Sequence, residues 1–177
     1  HNLVVTPAGQ AWMTALGGQF LWLVDLQDGK LVSRVKTVAK PHDLALSRRG
    51  GALWVANWGS GDVYVVQDGP PRVETVQISG RQPHHVAITP DGREVWITNH
   101  GSEDISVIDA AARRELTRIR VGDAPHHVAF SQDGRWAYVA NSGSNDVSIV
   151  DVAARREVGR LPAGAHPHGI VAIPDMP

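Results

Sequence analysis

The chain has 177 residues, 42% of them apolar and 20% charged, with a formal charge of −1, a balance that offers no general attraction to phosphate backbones or anionic lipid and argues against a nucleic-acid partner. It contains no cysteine, which excludes disulfides, thiolate nucleophiles, thiolate-ligated metal and c-type haem attachment within it. No run approaches the ~18 apolar residues of a membrane helix, and the start at His1 reads as a processed or excised one, with any signal segment lying upstream.

Taken in order, the sequence repeats. His1, His42, His84, His126 and His168 occupy equivalent positions, spaced by 41, 42, 42 and 42 residues. A period near 40–45 residues filled with several short β segments is the pattern of propeller blades, each a four-stranded meander that cannot bury both faces alone. The first repeat, approximately 1–40, opens with an inner strand at His1–Val5 and turns at "TPAG" (Thr6–Gly9). It departs most from the others, because "WMTALGGQF" (Trp12–Phe20) lacks the Asn and Asp found later. The second, 41–82, carries "WVAN" (Trp54–Asn57) and the turn "NWGSGD" (Asn57–Asp62).

The third repeat, 83–124, shows all four strands: A at His84–Thr89, B at Arg93–Asn99, C at Asp104–Asp109 and D at Arg114–Val121, each rich in β-branched or aromatic residues. Its turns are "TPDG" (Thr89–Gly92) and "NHGSED" (Asn99–Asp104); the fourth repeat, 125–166, answers with "SQDG" (Ser131–Gly134), "YVAN" (Tyr138–Asn141) and "NSGSND" (Asn141–Asp146). Such turns suit tight antiparallel connections, since Gly supplies positive φ and Asn or Asp bonds nearby backbone. Residues 167–177 read as the inner strand of a closing blade, formed at His168–Ile173. The predicted fold is an all-β propeller of four-stranded antiparallel meander blades, four blades plus one inner strand, forming part of a seven-bladed or eight-bladed ring. Closing it needs N-terminal blades upstream or a second chain.

"WVAN", "WITN" (Trp96–Asn99) and "YVAN" resemble the YVTN family of β-propeller repeats, over the whole chain and most clearly in repeats three and four. The resemblance implies a seven- or eight-bladed propeller, often exported to the periplasm or outside the cell. It also implies a fold shared with redox enzymes and surface-layer proteins.

In a meander, strands A and C run one way and B and D the other, so the start of A, the B–C turn and the D–A link emerge on one face. This upper face gathers the "PHH" segments, Trp58 and His100 from B–C turns, and Arg81, Asp123 and His166 from D–A links. Strand A is innermost, so the repeated histidine stands at the mouth of the central channel. Arg113 and Arg114, with Arg155 and Arg156, fall on the lower face and read as solvated charges. Trp12, Trp54, Trp96 and Tyr138 share one strand-B position and are expected in the core. Asp62, Asp104 and Asp146 end the B–C turns, where capping of backbone N–H groups accounts for them.

Two readings of the histidines stand side by side. As ligands, His1, His42, His84, His126 and His168 would converge on one axis and suit copper or zinc without any thiolate. By resemblance, nitrous oxide reductase and thiocyanate dehydrogenase hold copper clusters with histidines at this channel mouth. As a consensus residue, the histidine would close the D–A link by bonding its backbone, and this is the leading expectation. His85 and His127 point to the opposite face of strand A and are expected to make interblade packing contacts or hydrogen bonds. Trp58 and His100 break the repeat on exposed turns and, with Arg81 and Asp123, are candidate ligand-binding residues. The leading functional expectation is an extracytoplasmic binding or scaffold propeller whose upper face takes a protein, peptide or glycan. The alternative is a periplasmic copper oxidoreductase with a histidine-ligated site, and a purely structural surface-layer array is a third reading.

Overall fold

The computed structural model describes residues 1–15, 17–37, 40–48, 51–67 and 72–173. They form sixteen strands and no helix, arranged as four separate four-stranded antiparallel sheets. The first blade comprises β1 (Leu3–Val5), β2 (Gln10–Thr14), β3 (Phe20–Asp25) and β4 (Leu31–Lys36). The second comprises β5 (Pro41–Leu46), β6 (Leu53–Asn57), β7 (Asp62–Gln67) and β8 (Arg72–Gln77). The third comprises β9 (Pro83–Ile88), β10 (Glu94–Asn99), β11 (Asp104–Asp109) and β12 (Arg114–Arg120). The fourth comprises β13 (Pro125–Phe130), β14 (Trp136–Asn141), β15 (Asp146–Asp151) and β16 (Arg156–Pro162). Within each sheet the strands pair in sequence order, as a meander requires, and β1 and the four strands of the third blade lie within two residues of the spans predicted for them.

Three apolar cores lie between neighbouring blades. Trp12, Leu21, Leu44, Val55 and Tyr64 join blades one and two; Trp54, Val63, Val86 and Ile97 join two and three; Trp96, Ile105, Val128 and Val139 join three and four. Burial on both faces explains why the middle strands read as almost continuous apolar runs: β6 is buried at all five positions. Trp54 and Trp96 are 1% and 0% exposed, as the repeat position predicts, whereas Tyr138 on the outermost described blade is only half-buried. Among the described residues no strand pairing joins the first blade to the fourth, and Leu3 and Val5 stand 56% and 52% exposed. The four blades are a partial propeller.

Several expectations are modified. Residues His168–Ile173 form no strand, because strand hydrogen bonds need a partner and none of the described residues supplies one; residues 174–177 of the same predicted segment lie outside the described residues. The B–C turn acids take side-chain donors in place of backbone N–H groups. Asp104 Oδ1 accepts from Asn99 Nδ2 at 2.8 Å and Ser102 Oγ at 3.2 Å, and Asp146 Oδ1 from Asn141 Nδ2 at 2.7 Å and Ser144 Oγ at 2.9 Å. The Asn of each motif is therefore a buried strut, and Gly80 is pressed so close to Asn99 that a Cβ there would lie 2.0 Å from Nδ2. The lower-face arginines are not merely solvated: Arg155 Nη2 reaches Glu94 Oε1 of the preceding blade at 2.5 Å, and Arg113 pairs with Glu74.

Candidate metal centre at the channel mouth

The inner strands β5, β9 and β13 each begin with a proline and then a histidine, and Pro167–His168 repeats the pair, after a link residue held at positive φ: Lys40 at 41°, Gln82 at 54°, Ala124 at 49° and His166 at 51°. That reversal returns the chain to the inner strand at the same repeat position in blades two, three and four, and again at His168. Five imidazoles consequently form a continuous arc, with centroids 4.2 Å apart for His1 and His42, 3.9 Å for His42 and His84, and 4.3 Å for both His84–His126 and His126–His168.

The arc has two halves. His1 Nδ1 bonds the carbonyl of His42 at 2.9 Å, and His42 Nδ1 bonds the carbonyl of His84 at 2.9 Å. These bonds tie each ring to the next blade and not to its own link, as the consensus reading had it. In the other half, the Nδ1 atoms of His84 and His126 are buried without a hydrogen-bond partner. His84, His126 and His168 each present a ring nitrogen within 4.8 Å of those of the other two. Buried polar atoms are seldom left unsatisfied, and neither of these rings is committed through Nδ1 to the scaffold as His42 is.

His84 and His126 are held neutral. Burial, followed by the neighbouring His42 and His126, pushes His84 down to about 2, and burial with His168 pushes His126 down to about 4. Burial also lowers His42, against the opposing effect of its bond to the His84 carbonyl, and lowers His100. Neutral imidazole is the ligating form, so His84 and His126 need no deprotonation at neutral pH to accept a metal.

Trp58 and His100, the two residues that break the repeat, close over the arc. Trp58 stacks on His42 at 5.5 Å and meets His84 and His100 at 5.6 and 5.1 Å; His100 meets His126 at 5.0 Å. The lower-face residues Arg93, Arg135 and Arg155 instead line a cleft beside the "PDG" and "QDG" turns, as strand counting requires. Arg81 and Asp123 are not drawn into the site. Arg81 donates through Nε and Nη2 to the Gly101 carbonyl at 3.1 and 2.7 Å, and the Asp123 backbone is tied to Ser144 Oγ and to the Gly143 N–H.

On the other face of strand A, His85 and His127 stack at 4.2 Å. His85 Nδ1 accepts from the Val128 N–H at 3.3 Å, and its Nε2 lies 3.6 Å from Asp43 Oδ2. Asp43 thus serves this second row and not a ring of the arc. Two residues that sequence reasoning passed over, Thr14 and Thr98, bond the carbonyls of His42 and His126 at 3.1 and 2.6 Å. Their only signal is a Thr before the motif's final position where repeats two and four have Ala56 and Ala140.

Among solved structures, the chain is similar to hydrazine synthase from Kuenenia stuttgartiensis, at 24% identity over 89% of this chain and 47% of that one, with a TM-score of 0.81. It is similar to a dihydro-heme d1 dehydrogenase solved in complex with DHE, at 20% identity over 94% and 38% of the two chains, TM-score 0.79. A Bacteroides uniformis protein assigned as a 6-phosphogluconolactonase matches at 17% identity over 94% and 58%, TM-score 0.83. At these identities the likeness is one of fold, and the chain spans about half the length of the structures it matches. No curated protein sequence matches it. The family model described as "Lactonase, 7-bladed beta-propeller" matches residues 23–165, and the chain belongs to that family.

Proposed function

We propose that this propeller holds a single transition-metal ion, copper or zinc, at its channel mouth, ligated by His84, His126 and His168. The observation that carries the reading is the trio of ring nitrogens within 4.8 Å of one another, two of the residues having a buried, unpartnered Nδ1. Imidazole suits both metals, and a tetrahedral site with bonds of ~2.0–2.1 Å separates its nitrogens by about 3.4 Å, within that limit. Three protein ligands leave a fourth position for water or substrate, the arrangement of catalytic sites. Zinc there would activate water or polarise a carbonyl, the chemistry a lactone hydrolysis uses, whereas copper would support electron transfer. The extracytoplasmic placement implied by the sequence resemblance belongs to this proposal. So does binding of a partner on the upper face, where Trp58 and His100 border the site.

Elemental analysis of protein purified without chelator tests it. The expected outcome is close to one equivalent of copper or zinc, lost in a His84→Ala/His126→Ala double variant that keeps its β-sheet circular dichroism. Metal-free protein that takes up neither ion on titration would overturn the reading and restore the binding-propeller alternative.

A further inference from the structure

His84 and His126 belong to different sheets, so no backbone ladder fixes their relative height along the channel. Apolar packing between blades is tolerant of small slips, because it is non-directional. Directional bonds are needed to hold two imidazoles in register, and the structure has them at equivalent atoms in both blades.

In the third blade, the segment His84–Val86 is gripped at two points by the second blade: His42 Nδ1 holds the His84 carbonyl at 2.9 Å, and Asp43 Oδ2 accepts from the Val86 N–H at 2.8 Å. In the fourth, the segment His126–Val128 is gripped by the third at the same two points. Thr98 Oγ1 holds the His126 carbonyl at 2.6 Å, and His85 Nδ1 accepts from the Val128 N–H at 3.3 Å. Thr98 Oγ1 also accepts from the His85 N–H at 3.0 Å, so one hydroxyl links β9, β10 and β13. Asp43 and Thr98 are 3% and 0% exposed, and Asp43 is itself held by Asn2 Nδ2.

The chemistry of the pair changes between blades while the gripped atoms do not. Where Ala56 stands in the second blade, an imidazole supplies the carbonyl donor; where Thr98 stands in the third, its hydroxyl supplies it and His84 Nδ1 is left free. We infer that Asp43 and Thr98 are positioning residues for the histidine site, setting the axial offset of β9 and β13 that brings the His84 and His126 rings together. The inference rests on the metal reading for its first readout only.

Thr14 provides a built-in control. It makes the same pair of bonds in the first blade, accepting from the Asn2 N–H at 3.0 Å and donating to the His42 carbonyl at 3.1 Å, yet it holds no member of the trio. Copper(II) and zinc titrations of the full chain, with the copper(II) electron paramagnetic resonance spectrum, compare wild type with five variants. Asp43→Ala and Thr98→Ala are expected to weaken metal binding 10–100-fold, the usual effect of losing an outer-shell partner, and to change the copper spectrum. Asp43→Asn and Thr98→Ser, which keep an acceptor and a hydroxyl, should stay within about threefold of wild type, as second-layer partners do when their hydrogen bond survives. Thr14→Ala should bind metal as wild type does. Wild-type affinity and spectrum in both Asp43→Ala and Thr98→Ala would overturn the inference. If wild type binds no metal, the metal reading fails while the positioning role is still decided by ring-to-ring nuclear Overhauser contacts between His84 and His126. Their loss in Thr98→Ala and return in Thr98→Ser supports it, and their persistence in every variant overturns it.

Discussion

At the scale of single residues, the imidazoles have a cost as well as a use. In the metal-free protein, burial holds His84 at about 2 and His126 at about 4, against 6.5 for an exposed ring. The unfolded chain therefore binds protons near pH 6 that the folded chain refuses, and stability rises with pH across that interval. The sign is fixed by the depressed folded values: stability is full above pH 6.5 and declines as the pH falls below it, towards about 4 for His126 and about 2 for His84. Each such ring contributes up to about 1.4 kcal/mol per pH unit. Urea unfolding at pH 7.5 and at pH 5 should show the loss, and His84→Asn/His126→Asn should flatten the profile. A stability that holds constant between those two pH values would contradict the account.

At the scale of the element, the B–C turn behaves as one unit built around a buried asparagine. Asn99 Nδ2 donates to Asp104 Oδ1 and Ser106 Oγ, both at 2.8 Å, and Gly80 closes over it. A methyl group at Gly80 would fall 2.0 Å from Asn99 Nδ2, so the amide must move and abandon both bonds. We expect Gly80→Ala to cost about 2–4 kcal/mol, the sum of overpacking and a lost buried hydrogen bond. Gly164→Ala, with nothing within 4 Å of the added carbon, should lie within about 0.5 kcal/mol of wild type. Chemical denaturation of the two variants measures the difference directly. The interblade ion pairs on the lower face are a weaker element: Arg155 is 40% exposed and Glu94 16%, so Glu94→Gln should cost no more than about 1 kcal/mol through the pair itself.

At the scale of the molecule, stability follows the number of neighbours a blade has. The second and third blades are packed on both sides, with every residue of β6 and all but the last residue of β7 and β11 buried. The first blade shows β1 only three residues long, with an exposed, intermediate, exposed pattern. Native-state hydrogen exchange should accordingly find the slowest amides in β6, β7, β10 and β11 and the fastest strand amides in β1, since local opening energies track buried apolar contact. Equal protection across all sixteen strands would refute a nearest-neighbour description of this array.

The blade architecture was legible in the sequence because a repeat near 42 residues records packing directly: each blade needs the same apolar positions and the same turn chemistry, so periodicity reports topology. Strand order, the upper and lower faces, the buried Trp54 and Trp96, and the meeting of Trp58 and His100 with the histidines all follow from counting residues along such a unit. What a repeat cannot report is how equivalent residues come to differ. His42 and His84 share one repeat position, yet the first spends its Nδ1 on a neighbouring carbonyl and the second does not. The setting of each ring is made by contacts between blades, such as those by which Thr98 and Asp43 reach backbone atoms of another sheet. Interblade hydrogen bonds join residues about 28 and 43 positions apart and leave no local pattern, so only the tertiary structure decided which histidines are bound into the scaffold and which are free to hold a ligand.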